Sequence, residues 1–141
     1  MKHLAEKMAR KAFASHTDRM GRPSILHIER VANRGKTDDE ITAGWLHDLI
    51  EDTDITLEAL EAAGFPPHIV ATIDDVSRRP NETYREFIER IARSGRSLSI
   101  RLKLNDLHDN RSRCAELPGP EAAGLARRYD KAIARLTPLV I

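Results

Sequence analysis

Apolar positions recur along this chain at helical spacing, and nowhere do they alternate for long enough to define a strand. Leu4, Met8 and Ala12 form one row and Ala5, Ala9 and Phe13 the neighbouring one, which predicts an amphipathic helix from Leu4 to about Ser15. Gly21-Arg-Pro23 interrupts the pattern. A second helix is expected from about Ser24 to Asn33, with Gly35 as its stop. Thr37 followed by Glu40 has the form of a capping box and opens a third helix through about Glu51. A short helix over Thr56 to Ala63 ends at Gly64, and Pro66-Pro67 starts the next, which runs to about Ser77 before Arg79-Pro80. Asn81 is placed to cap a helix through Arg93, with Gly95 behind it. Two more are expected, from about Leu98 to Arg113 and from about Glu121 to Leu136, separated by the turn Leu117-Pro-Gly-Pro120. The pattern predicts an all-α fold: one bundle of about seven or eight helices spanning residues 1–141, without repeats or long linkers.

Composition narrows the class. Apolar residues make up 40% and charged residues 32%, the balance of an ordinary folded domain, and 141 residues suffice for a single core. Twenty-three basic residues against twenty-two acidic ones leave a net charge of +1, which argues against a nucleic-acid-coating surface but leaves room for a local phosphate pocket. No apolar run approaches the roughly 20 residues of a membrane span, and the charged start MKHLAEKMARK does not read as a secretion signal. A single cysteine, Cys114, cannot form an intrachain disulfide. Together these features lead us to expect a cytoplasmic protein without nucleic-acid or membrane partners.

The chemistry concentrates in Trp45-Leu-His47-Asp48-Leu-Ile-Glu51-Asp52-Thr53. On one continuous helix His47 and Glu51 would share a row, as would Asp48 and Asp52, while Trp45, Leu46, Leu49 and Ile50 would anchor the other side. Imidazole and carboxylate gathered in this way suit a divalent cation, with carboxylates left over for proton transfer. Three carboxylates at a helix C-terminus also oppose the helix dipole, which is unfavourable without a cation or a catalytic task.

The adjacent His47-Asp48 pair resembles the signature of the HD superfamily of metal-dependent phosphohydrolases. The longer His47-Asp48-Leu-Ile-Glu51-Asp52-Thr53 is similar to the HDxxEDT motif of alarmone, or (p)ppGpp, hydrolases of the SpoT and metazoan SpoT homologue type. Upstream, Gly21-Arg-Pro23-Ser-Ile-Leu-His27-Ile-Glu-Arg-Val31-Ala32 resembles the segment that supplies that family's first ligand histidine. Downstream, Lys103-Leu-Asn-Asp106-Leu-His-Asp-Asn110 resembles the segment that supplies its last ligand aspartate. Tyr84-Arg-Glu-Phe87-Ile88-Glu-Arg-Ile91 is similar to the helix between them. The three motifs stand in the family's order and spacing.

The resemblance implies a single HD domain in which His27, His47, Asp48 and Asp106 hold one divalent ion. In relatives this is usually Mn²⁺, though two imidazoles and two carboxylates also suit Fe²⁺ or Zn²⁺. It implies that Glu51 and Asp52 orient the attacking water and pass protons, and that Asn110 contacts the substrate's sugar or phosphate. Arg19 and Arg22 would supply basic character for phosphates. A basic and aromatic stretch of the last helix, here Arg128 and Tyr129, would close over the substrate, implied to be guanosine 3′,5′-bis(diphosphate) losing its 3′-pyrophosphate. A phosphatase or phosphodiesterase on another nucleotide, and a non-catalytic nucleotide- or partner-binding HD module, are the alternatives.

This chain departs from the family pattern at Ser24, Ile28 and Asp109. Asp18 and Arg19 stand where relatives carry an Arg-Lys pair around the guanine, so weaker and less base-selective binding is expected. His3, His16 and His68 read as surface or helix-end histidines. His108, two residues after Asp106 and so about 200° around the helix, reads as a non-ligand. Cys114 reads as an inert thiol, Arg127-Arg128 most simply as a solvated face, and Phe13, Trp45, Phe65 and Phe87 as packing anchors.

Overall fold

A computed structural model describes residues 1–141. The chain folds into α1 (Lys2–Ala12), α2 (Ile25–Asn33), α3 (Asp38–Leu46), α4 (Leu49–Asp52), α5 (Leu57–Ala62), α6 (Pro67–Val76), α7 (Tyr84–Ala92), α8 (Ser97–Ser112) and α9 (Gly119–Leu136). Single 3₁₀ turns at Cys114–Glu116 and Thr137–Leu139 flank α9, and the only strand-like pairing is an isolated bridge between Thr17 and Pro23. The fold is all-α, as the period of the apolar positions requires. Phe13, Trp45, Phe65 and Phe87 all lie in its core.

Two helices organise the rest. α3 packs against α1, α2, α6 and α8, and its Thr42, Ala43, Gly44, Trp45 and Leu46 are all buried. α8 packs against α2, α3, α6, α7 and α9, burying Ile100, Leu102, Leu104 and Leu107 together with the polar Lys103, Asp106 and Asp109. A helix enclosed on several sides carries buried polar groups only where they are paired with one another or with a ligand. The C-terminal end of α3, the middle of α8 and the face of α2 meet at one place, and that place is polar.

Glycine makes this meeting possible. A Cβ on Gly44 would lie 2.7 Å from Ala32 Cα and 2.9 Å from Ala32 N, so the α2 and α3 backbones touch there. Gly35, the stop read from the sequence, follows α2 without adopting a positive φ. Its hydrogen is needed for space instead, because a Cβ would sit 2.8 Å from Ile41 N.

Two further elements differ from the sequence expectation. The helix expected from Thr37 through Glu51 is broken at His47-Asp48, where Asp48 relaxes to φ −101°, ψ −1° and the single turn α4 begins. The Gly44 carbonyl, which an unbroken helix would pair with the Asp48 N–H, accepts from His47 Nδ1 at 2.6 Å. The cap of α7 is Thr83 rather than Asn81. Thr83 Oγ1 accepts from Glu86 N at 3.1 Å and Glu86 Oε1 accepts from Thr83 N at 2.9 Å, a complete capping box.

Candidate metal centre and cavity

His27 stands on α2, His47 at the end of α3, Asp48 in the break before α4, and Asp106 in the middle of α8. Asp106 Oδ1 lies 2.9 Å from His27 Nε2 and 3.5 Å from His47 Nε2. Asp48 Oδ2 lies 3.2 Å from His47 Nε2 and 3.8 Å from His27 Nε2. Ligand atoms held about 2.1 Å from one ion are separated by roughly 3–4 Å, so these spacings match a shared centre. His27, His47 and Asp48 also each offer one ligand atom within 4.8 Å of the others.

The strongest sign that the residues fit a cation is His47 Nε2, which is buried and has no hydrogen-bond partner. Its other nitrogen already donates to the Gly44 carbonyl, so Nε2 is the atom that faces the carboxylates of Asp48 and Asp106. A buried nitrogen facing two carboxylates without a bonded partner is costly unless something positive lies between them.

Three of the four candidate ligands, His27, His47 and Asp106, are held by a neighbour. His27 Nδ1 donates to Asp109 Oδ2 at 2.6 Å, and Arg30 Nε donates to the other oxygen of that carboxylate at 2.8 Å. Lys103 Nζ donates to Asp106 Oδ2 at 2.9 Å, and Asn110 Nδ2 donates to Asp106 Oδ1 at 3.3 Å. A histidine whose second nitrogen donates to a carboxylate or a backbone carbonyl is the usual support for a metal ligand.

The electrostatics follow. Burial opposes charge on His27, but hydrogen bonds to Asp106 and Asp109 and the field of Asp48 outweigh it and hold its pKa raised at about 9. Burial likewise opposes charge on His47, and the carboxylates of Asp48 and Asp106 again prevail, so its pKa is raised. Asp106 titrates well below the usual carboxylate range: burial works against ionisation, but Lys103 and the two histidines overcome it. A cation binding there takes the place of the protons.

A cavity of about 520 Å³ opens over the four residues, and Glu51, Asp52, Arg19 and Asn110 also line it. Glu51 Oε1 accepts from the Arg78 backbone N–H at the start of the α6–α7 connection. Partial burial raises the pKa of Glu51, and partial burial and the charge of Asp48 raise that of Asp52, the direction that favours a carboxyl able to accept and return a proton.

At the cavity's edge Arg19 pairs with Glu121, and the remaining candidates lie further out, Arg22 pairing with Glu116 at 2.8 Å. Arg128 lies over the Tyr84 ring, its guanidinium carbon 3.6 Å from the centroid, and lines a neighbouring groove. Tyr129 lines a small depression shared with Arg19 and Asn110.

Several contributors were not singled out from sequence. Asp109 and Arg30 orient His27, and Tyr84 and His16 line the cavity. His16 is exposed at the rim, with Nδ1 2.6 Å from Ser24 Oγ. Asp18 holds a loop together: Oδ1 accepts from Met20 N and Arg22 N at 2.8 and 3.0 Å, and Arg113 Nη2 donates to Oδ2 at 3.0 Å. Its charge is therefore largely neutralised by Arg113. In the sequence Asp109 stood out only as a departure from the family pattern, and its place three residues beyond Asp106, one turn along the same helix, was the local signal of its role.

Known proteins provide an independent comparison. No family model matches the chain. It is 34% identical over 144 residues to a probable GTP pyrophosphokinase of Mycobacterium leprae, an alignment that covers 94% of this chain but only 18% of that protein. The fold matches the solved structure of a metazoan ortholog of SpoT that hydrolyzes ppGpp, with a TM-score of 0.83 and 20% identity, over 96% of this chain and 84% of the other. The resemblance drawn from the three motifs is thus met in sequence by one protein and in fold by another.

Proposed function

We propose that this chain is a cytoplasmic metal-dependent phosphohydrolase, a single HD domain acting on a phosphorylated nucleotide. Its substrate on this reading is guanosine 3′,5′-bis(diphosphate), which loses its 3′-pyrophosphate. The observation that carries the proposal is the convergence of His27, Asp48 and Asp106 on the buried, partnerless Nε2 of His47, at the floor of a cavity that also holds Glu51 and Asp52. The SpoT-like fold and the pyrophosphokinase similarity support the choice of substrate.

His27, His47, Asp48 and Asp106 would hold the ion, with Mn²⁺ first among the candidates. An ion held there supplies Lewis-acid chemistry: it acidifies water and polarises a phosphoryl oxygen. Glu51 and Asp52 take the proton from the attacking water and return one to the departing ribose oxygen. Asn110 and Arg19 face the cavity, where they bind sugar and phosphate groups, while Arg22, Arg128 and Tyr129 would act from its margins. Lys103 keeps Asp106 ionised and turned toward the histidines.

The test is a nucleotide panel offered to the purified, manganese-loaded protein, with products identified. Guanosine 3′,5′-bis(diphosphate) should yield GDP and pyrophosphate, and His47→Ala should lose both the ion and turnover. Hydrolysis of other nucleotides but not this one would leave the chemistry and overturn the substrate. Nucleotide binding without any turnover would point to a non-catalytic module.

A further inference from the structure

Beside the cavity, between α7 and α9, lies a second concavity of about 660 Å³. Its walls carry Arg85, Arg127, Arg128, Lys131 and Arg135 against one carboxylate, Glu89. That carboxylate is already engaged, because Arg135 donates to both its oxygens at 2.7 and 3.1 Å. Arg128 is spread over the Tyr84 ring. Arg85, Arg127 and Lys131 line the same groove with no carboxylate paired to them. On a chain whose net charge is only +1, this is a local surplus of cations in a concave place.

A second feature of the groove is independent of charge. Gly124 lies inside α9 and lines the same wall. A glycine within a helix costs roughly 1 kcal/mol relative to alanine, and close packing is its usual structural reason. No packing explains it here: a Cβ on Gly124 would meet only the Arg127 guanidinium, at 4.0 Å. The missing side chain leaves the groove open.

We infer that this groove is a second anion site, built for a short phosphate chain. Its volume falls within the usual range of small-ligand pockets, roughly 300–1,000 Å³. Arginine forks and a lysine ammonium are the side chains that bind phosphoryl oxygens. The groove reads the phosphate chain and not a base, because its one aromatic surface, the Tyr84 ring, is already covered by Arg128. Inorganic oligophosphate and the tail of a nucleoside triphosphate share this chemistry.

The experiment uses the full chain without added divalent cation, so it reads binding and does not depend on the proposed hydrolysis. Tripolyphosphate, ATP and GTP are titrated calorimetrically, and backbone amide shifts map the site. Tripolyphosphate should perturb residues of α7 and α9, and both nucleotides should bind within a few-fold of it. The double variant Arg127→Ala/Lys131→Ala should weaken binding by roughly tenfold or more. Gly124→Leu, which fills the groove at unchanged charge and improves helix propensity, should weaken it comparably. If only the charge variant has an effect, the attraction is diffuse electrostatics and there is no built site. The inference is also overturned if shifts centre on Asp48, Lys103 and Asn110, if a nucleotide binds tenfold more tightly than tripolyphosphate, or if a single-stranded oligonucleotide outcompetes it.

Discussion

At the scale of single residues, the site separates groups that face the cavity from groups that hold them. Glu51 and Asp52 belong to the first kind. Glu51→Gln and Asp52→Asn should keep the ion but lose roughly 10²–10⁴-fold in turnover, as loss of a placed acid or base does. Steady-state kinetics at saturating metal checks this, and near-wild-type turnover of Glu51→Gln would end the role assigned to it. Asp109 belongs to the second kind, 1% exposed and tied between His27 and Arg30. Asp109→Asn should weaken metal affinity by roughly 10–100-fold, the usual effect of losing a ligand's supporting carboxylate. Competition with a chelating dye measures it. The structure also decides what placing an arginine at Asp18, as relatives have it, would do. Because this side chain caps two backbone amides and pairs with Arg113, Asp18→Arg would untie the loop before it could contribute a cation to a guanine.

At the scale of elements, the contact between α2 and α3 sets the separation of the two histidines. Gly44→Ala would drive a methyl group into the Ala32 backbone, which cannot yield as a flexible side chain does. The expected cost is roughly 1–3 kcal/mol, together with weaker metal binding because His27 and His47 are pushed apart. Denaturant melts and metal titration on the same variant test both consequences. A stable Gly44→Ala protein with unchanged metal affinity would mean that the helices can slide without disturbing the centre. The sequence pattern located these helices well, since apolar rows at a period of 3.6 survive any tertiary arrangement. It did not reveal the break at His47-Asp48, because the competitor for the Gly44 carbonyl is a side chain held in place by the site around it. Nor did it single out Thr83 over Asn81, since both are good cap residues and only the path of the chain chooses between them.

For the whole molecule, the cluster of charges makes stability depend on pH and metal together. In the metal-free protein His27 has its pKa raised from 6.5 to about 9, because its protonated form bridges Asp106 and Asp109. The raised value means that the folded state binds this proton more tightly than the unfolded chain does. The contribution is therefore full below about pH 6.5 and is lost as pH rises through about 9. Melting temperatures of the metal-free protein should fall across that window, and His27→Gln should flatten the slope. Manganese affinity should rise over the same window, because the ion must displace the proton from His27. A metal-free profile that does not change between pH 6.5 and 9 would contradict the arrangement.

The sequence alone determined the helical class and the approximate helix boundaries, because spacing and caps are local. It also grouped His27, His47, Asp48 and Asp106 as candidates, through motifs that resemble a known family's in order and spacing. Only the tertiary structure brought His27 to Asp109 across 82 positions of chain and left His47 Nε2 without a partner. It alone gathered the cations of α7 and α9 around one groove, where the pair Arg127-Arg128 had looked like an ordinary solvated face. The physical reason is the same in each case. Helical periodicity shows which residues share a face, but the distance between faces is set by what packs between them. Here Gly44 against Ala32 closes one gap, and Gly124 leaves another open.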